Sequence, residues 1–284
     1  MLKIYFLFSD LGKKLILQDF RGATVGGISK EFVKKIKIPL PPLPIQKEIA
    51  EVLDKADNLR QKRNEAIAKL DELAQTIFLD MFGDPVTNPK GWEVKKLEKL
   101  GVLERGKSKH RPRNAPELLG GKYPLIQTGD ISNADGYIKK YTQTYSELGL
   151  KQSKMWKSGT LCITIAANIA HTGILKFDAC FPDSVVGFTP NQYSNSEYIR
   201  FILKSLQQIL EDKAPESAQK NINLKILSEL EIPTPSINQQ QKFAAKIQKL
   251  QSVKEEYHKS LSKIDNLFTS LMQKAFKCEL EFVE

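Results

Sequence analysis

The chain has 284 residues, a formal net charge of +10, and 41% apolar against 27% charged residues. That balance suits a soluble chain long enough for two ordinary domains, and its cationic excess favours polyanionic partners, nucleic acid first. No uncharged apolar run approaches the ~18 residues that span a bilayer, and the three scattered cysteines (Cys162, Cys180, Cys278) read as reduced thiols of a cytoplasmic protein.

The chain begins MLKIYFLFSDLGKK, which lacks the basic leader and small-residue cleavage site of a signal peptide. A small and polar stretch, RGATVGGISKEFVKKIKIPLPP, then leads through a short amphipathic segment into a Pro-rich bend. The same order returns near the other end. YFLFSDLGKKL has the helical character of RFILKSLQQIL, and APESAQKNINLKILSELEIPTPS repeats the loop, the segment and the bend. Residues 1–37 are therefore expected to be the C-terminal remnant of a first domain of the kind that residues 86–230 hold whole.

Residues 38–84 read as a first spacer helix, and residues 231–280 as a second. Sliding the chain by 194 residues without gaps lays Ile38, Pro39 and Pro41 on Ile232, Pro233 and Pro235, Gln46 on Gln240, and Phe82 on Phe276. The register holds for over forty residues, as an internal repeat should. Ile49, Leu53, Ala56, Ile67, Leu70, Ala74, Ile77 and Met81 step by three and four. So do Phe243, Ile247, Leu250, Leu261, Ile264, Phe268, Leu271 and Ala275 in the second copy. Each set is a helical seam that one helix cannot bury alone, so the two are expected to pair. The seams weaken at Arg60, Arg63, Lys254 and Tyr257, whose long stems can cover apolar surface while their tips reach water. Prolines precede both helices and interrupt neither, and Gly83 followed by Pro85 marks the first stop. At ~1.5 Å per residue, the first helix is roughly 55 Å long.

Residues 86–230 differ in kind. Short β-like runs (YPLIQTG, GYIKKYTQTY, GTLCITI, GILKF, SVVGFTP) alternate with turn signals such as Asp135-Gly136. A strand from Trp92 is expected to end in a flexible basic loop. One amphipathic helix, NSEYIRFILKSLQQILED, follows the strands with Ser196 as its expected N-cap. The whole chain thus reads as α+β: a globular mixed α/β domain plus two long helices.

Catalytic signatures are missing. There is no phosphate-binding GxxxxGK[ST] loop, and the three histidines (His110, His171, His258) are scattered. Asp183 with Glu211 and Lys213 fits a short nuclease formula, but Glu211 and Lys213 fall at the end of a helix rather than on a strand beside Asp183. Binding residues are easier to find. Arg105, Lys107, Lys109, Arg111 and Arg113 place five cations within nine residues. They suit phosphate contacts, and an arginine there can grip a guanine edge; a solvated charge run is the plain alternative. Gln127, Thr128, Asp130 and Asn133 offer donors and acceptors for bases on a turn, where ordinary turn capping competes. Ser217, Gln219, Lys220 and Asn221 precede a helix start that can hold a phosphate. Thr164, Asn168 and His171 read as core strand and turn.

The Ile-Pro-x-Pro bend, the Gln-Lys-x-Ile-Ala-x-x-Leu run from Gln46 and the long helix ending in MFGDP resemble type I restriction–modification specificity (S) subunits. The domain opening GWEVKKLEKLG and the later YPLIQTGDIS are similar to their target recognition domains. The resemblance spans essentially the whole chain, and it is more specific in the repeated bend and helix than in the domain between them. It implies a non-catalytic subunit whose recognition domains each read half of a bipartite site on double-stranded DNA. It also implies an antiparallel coiled coil that sets their separation and docks two methyltransferase (M) subunits. S-adenosylmethionine sits on those M subunits, which methylate adenine; ATP and Mg belong to restriction (R) subunits, and this chain carries no cofactor or metal. One recognition domain in place of two departs from the family pattern and implies pairing with a second copy or another S chain. Two other readings compete: a coiled-coil scaffold without specific DNA binding, or a non-functional remnant of a specificity subunit.

Overall fold

The computed structural model describes residues 5–6, 9–17, 30–36, 42–166, 169–212 and 222–276. Ser217, Gln219, Lys220, Asn221, Asn168, Lys213, Cys278 and the first Pro-rich bend at 38–41 lie outside them. The chain forms two compact units: Met1–Leu73 with Leu250–Glu284, and Ala74–Lys249. Two helices of 40 residues each, Leu43–Phe82 and Ile237–Phe276, contribute to both.

In the first unit these helices run antiparallel. Arg60 Nε donates to Asp265 Oδ1 at 2.7 Å, and Lys254 Nζ donates to Asp71 Oδ1 at 2.5 Å. Asp71 lies eleven residues after Arg60 and Lys254 eleven before Asp265, so the register does not slip between these pairs. Ile49, Leu53, Ala56, Ile67 and Phe268 are buried along the seam, with Leu70, Leu250, Leu261, Ile264 and Leu271 half-buried. Short helices form at Asp10–Leu17 and Lys30–Lys35. Phe6 joins the seam cluster, edge-on to Phe276 at 5.2 Å. The weak mid-seam positions are filled by cations lying on rings: Arg60 over Phe268 at 4.6 Å and Arg63 over Tyr257 at 4.3 Å. Lys254 departs from the expectation that its tip reaches water. It is only 5% exposed, and its ammonium ends on the exposed Asp71 carboxylate.

The second unit begins with the last turns of the first long helix. Gly83 takes φ +78° and closes the helix with its N–H on Leu79 O at 2.8 Å. Trp92 Nε1 caps Phe82 O at 2.9 Å. Here the buried stripe differs from the one read in sequence: Ile77 is half-buried, and Phe78 and Phe82 carry the core. They meet Phe243 at 5.6 and 5.4 Å, and Phe201 and Tyr198 complete the aromatic cluster. Ile247 is buried beyond it.

Eleven strands follow among the described residues. β1 (Val94–Lys96) pairs antiparallel with β11 (Glu231–Pro233). A helical turn at Leu97–Leu100 separates β1 from β2 (Gly101–Arg105), so the strand expected to run from Trp92 is broken in two. The others are β3 (Leu119–Leu125), β4 (Tyr137–Ile138), β5 (Gln143–Tyr145), β6 (Met155–Trp156), β7 (Leu161–Thr164), β8 (Thr172–Leu175), β9 (Ala179–Cys180) and β10 (Val185–Pro190). They form a five-stranded sheet in the order β2-β10-β7-β8-β4 and a four-stranded one in the order β5-β3-β9-β6. Trp156 stacks on Phe181 at 4.6 Å in a core with Ile126, Cys162 and Val185. The helix after β10 is capped one residue before the expected position: Asn195 Oδ1 accepts from Glu197 N at 2.8 Å, and Ser196 is the first helical residue. It breaks at Leu206 into Ser196–Ser205 and Gln207–Asp212.

The repeated bend now has a mechanical reading in its second copy. Thr234 N bonds Glu93 O at 2.7 Å, and Tyr198 Oη bonds Pro233 O at 2.6 Å. Gln240, 0% exposed, donates Nε2 to Tyr193 O at 3.0 Å and to Pro235 O at 2.9 Å, and its Oε1 accepts from Asn195 N at 3.0 Å. One buried amide thus satisfies three backbone groups and ties the long helix to the β-rich domain, where unpaired polar groups are costly.

Candidate nucleic-acid interface

The basic loop leaves β2 against the strand-to-strand connection at residues 181–184. Gly106 N bonds Val185 O at 2.8 Å, and a Cβ on Gly106 would lie 2.3 Å from Pro182 O, so only glycine permits the approach. Gln152 Oε1 accepts from Lys109 N at 2.6 Å and His110 N at 3.1 Å, and Ser153 Oγ donates to Lys107 O at 2.9 Å. The loop is therefore ordered, not the flexible segment its composition suggests. Its arginines and lysines, Arg105, Lys107, Lys109, Arg111 and Arg113, are all exposed.

Three of the five converge on Asp183. Arg105 Nε donates to its carbonyl at 3.0 Å. Arg113 Nη2 lies 2.5 Å from its Oδ1, and Arg111 Nη2 lies 3.5 Å from its Oδ2. The Arg113 contact is an ion pair without hydrogen-bond alignment, which leaves the buried Oδ1 otherwise unpartnered. Arg111 also donates to Ser108 O and His110 O, at 2.5 and 2.9 Å. Lys107 and Lys109 make no side-chain pair among the described residues.

The second candidate group is partly consumed by local structure. Residues Thr128–Ser132 form a short helix rather than a turn, closed by a reciprocal capping box between Gln127 and Asp130. Asp130 Oδ2 accepts from Gln127 N at 2.8 Å, so capping occupies part of that carboxylate. Gln127 Nε2 donates to Gln143 Oε1 at 2.9 Å. Asn133 is exposed, whereas Thr128 is half-buried. Asp130 and Asn133 line a hollow of about 400 Å³ with Tyr137, Lys139, Lys140 and Thr142. Those lysines escape a reading of the sequence because YIKKY has the pattern of a strand; two adjacent lysines before a turn are the available signal. Lys139 and Lys176 both lie over the Tyr137 ring, at 5.6 and 4.4 Å.

Topology brings the two groups to one place. β3 and β9 pair in parallel, with Leu125 opposite Cys180. Both chains leave the sheet in the same direction, Gln127 two residues beyond Leu125 and Asp183 three beyond Cys180. The basic loop, fastened to Asp183, and the Gln127 helix thus share one end of the four-stranded sheet.

The nuclease formula is dispersed into other roles. The Asp183 carboxylate faces arginines, and Glu211 Oε1 accepts from Gln207 Nε2 at 3.0 Å on its own helix. Among the described residues no group of three His, Cys, Asp or Glu side chains is placed to hold a metal ion. None of the helices there is long and apolar enough to cross a membrane. Thr164 is buried and its Oγ1 accepts from His171 N at 3.1 Å, which closes a turn. Burial pushes the Cys162 and Cys180 thiols up, away from the nucleophilic thiolate form.

The described residues thus hold one β-rich domain with a cationic loop, joined to two long paired helices. The sequence profile described as the type I restriction modification DNA specificity domain matches residues 2–69 and 89–266. The chain belongs to that family. It is 24% identical over 269 residues to the putative type I restriction enzyme MjaX specificity subunit of Methanocaldococcus jannaschii, covering 87% of this chain. It is 24% identical over 291 residues to the EcoBI specificity subunit of Escherichia coli, covering 90% of this chain. The chain spans 61% of the length of either relative. A solved chain from work on complex assembly and conformational transition of the type I R-M system superposes with a TM-score of 0.65 at 20% identity, covering 98% of this chain and 71% of the other.

Proposed function

We propose that this chain is the DNA-sequence-recognition subunit of a type I restriction–modification complex. In this reading the domain at residues 86–230 reads one half of a bipartite site, and residues 1–37 are what the chain holds of a second such domain. The spacer helices at 38–84 and 231–280 set the reach and dock methyltransferase subunits that carry S-adenosylmethionine. Restriction subunits supply ATP- and Mg-dependent work, and the chain itself catalyses nothing. A second copy or another S chain supplies the other half-site reader, and the setting is the cytoplasm.

The observation that carries the reading is the gathering of an exposed basic loop, tied down at its backbone, and the Gln127–Asn133 group at one sheet end. Lysines there suit phosphates as point charges, and arginines suit a bidentate grip on guanine. Asn133 has the donor and acceptor that adenine presents.

The test is binding of motif and scrambled duplexes by the assembled methyltransferase over a salt series. Replacing Lys107 and Lys109 with alanine weakens both duplexes alike and lowers the salt slope by about 0.9 for each phosphate no longer neutralised. Replacing Arg111 and Arg113 with alanine lowers the preference for the motif. A complex that assembles but binds all duplexes equally supports the scaffold reading instead, which the length of the helix pair favours.

A further inference from the structure

We propose that Asp183 is a built-in competitor for DNA phosphate that tunes the selectivity of the basic loop, a proposal that rests on the DNA-recognition reading above. The carboxylate stands where an anion between two guanidinium groups belongs, 2.5 Å from Arg113 and 3.5 Å from Arg111. Its own carbonyl receives Arg105 at 3.0 Å. Three cations that the sequence presents as free for DNA are therefore already turned toward one acidic residue. That residue sits at the sheet end shared with the Gln127 group.

The arrangement has two consequences. The arginines are held close to a geometry that an anion accepts, so little side-chain freedom is lost when DNA arrives. They are also partly neutralised, so an arbitrary phosphate must displace Asp183 before it reaches an arginine. The displacement is feasible because the group is partly open to water: the Arg111, Arg113 and Asp183 side chains are 55, 45 and 33% exposed, with Asp183 Oδ1 on the buried side. Exposed pairs of this kind are weakly held, whereas arginine binds phosphate or a guanine edge through two parallel bonds. A correct site offers both phosphate and base edge and outcompetes the carboxylate. A wrong site offers phosphate alone. Asp183 thus acts through the arginines, as a positioning residue that subtracts from non-specific binding.

The experiment uses the full chain assembled with its methyltransferase subunits, with motif and scrambled duplexes over a salt series. Asp183→Asn keeps the shape and removes the charge. The scrambled duplex is then bound about three- to tenfold tighter, with a salt slope steeper by about 0.9 for each further phosphate neutralised. The motif duplex gains less, so the preference falls. In an Arg111→Ala, Arg113→Ala background the same substitution changes nothing. If Asp183 merely braced the loop, Asp183→Asn would weaken binding to both duplexes, and that outcome, or no change, overturns the proposal. Wild-type protein without any preference between duplexes overturns the recognition reading itself, and the proposal with it.

Discussion

The joint around Phe82 and the joint around Phe276 are the same construction filled differently. The 194-residue repeat lays Phe82 on Phe276, Phe243 on Ile49, Ile247 on Leu53, Phe78 on Met272 and Gln240 on Gln46. In the second unit, Phe78, Phe82, Tyr198, Phe201 and Phe243 meet ring to ring, and Gln240 closes three backbone hydrogen bonds behind them. In the first unit, Ile49 and Met272 stand where Phe243 and Phe78 stand in the second, beside Phe6, Phe268 and Phe276. Polar side chains add Tyr5 Oη on Asp54 at 2.8 Å and Arg60 between Asp57 and Asp265. The heavier joint is the one that carries a β-rich domain. What a repeated sequence keeps is the helix register; what it varies is the volume and polarity at the place where a domain is fastened.

The largest test of that contrast is Phe243→Ala, which removes a fully buried ring from the middle of the cluster. It should cost about 3–5 kcal/mol, against the lower part of the roughly 2–5 kcal/mol range for Ile49→Ala at the matching position. Urea unfolding at constant m-value measures both, and equal losses would break the comparison. Next comes Gln240→Leu, which strands several buried backbone groups, each worth about 1–3 kcal/mol. Gln46→Leu should cost clearly less, since Gln46 is half-buried. Faster hydrogen exchange at Asn195 in Gln240→Leu would locate the damage.

A smaller effect separates charge from packing in the first unit. Asp71→Ala removes the carboxylate on which the buried Lys254 ammonium ends and should destabilise by about 1–2 kcal/mol, reduced because Asp71 itself is exposed. Lys254→Met should be neutral or stabilising. If both substitutions cost the same, the pair holds the helices rather than merely fixing their register.

The smallest effect is a pH dependence. Burial first, and then the hydrogen bond to Asp54, push the Tyr5 hydroxyl from 10.0 up to about 12. The folded chain therefore keeps this proton at a pH where the unfolded chain has lost it. Stability from Tyr5 is whole below about pH 10 and falls as pH rises toward 12. Tyr198 is raised too, by burial, so both joints weaken in alkali. Tyr5→Phe should flatten the first unit's share of the decline in urea midpoints, and an unchanged decline would count against it.

The long helices are readable because period, prolines and Gly83 are all local signals. The seam reads slightly askew. A 3.5-residue count follows Ile77 and Leu271, yet the buried side chains are Phe78 and Met272. A straight helix drifts about 20° per heptad from that count, so the apolar stripe moves over by one position along its length. The cations of the basic loop are plain in sequence, but their anchors are not. Asp183 lies 72 residues from Arg111, and Gln152 lies 43 from Lys109. No local pattern announces a partner that the fold brings in from a distant connection. The Gln127 helix escapes notice because its capping box uses Gln and Asp where Ser or Thr and Glu are the usual signal.

The most direct measurement is an adenine methylation map of the host's native DNA, read with the gene intact and with it deleted. The account predicts that an interrupted motif is methylated in the first case and lost in the second. Identical maps would contradict the claim that this chain directs methylation by reading DNA.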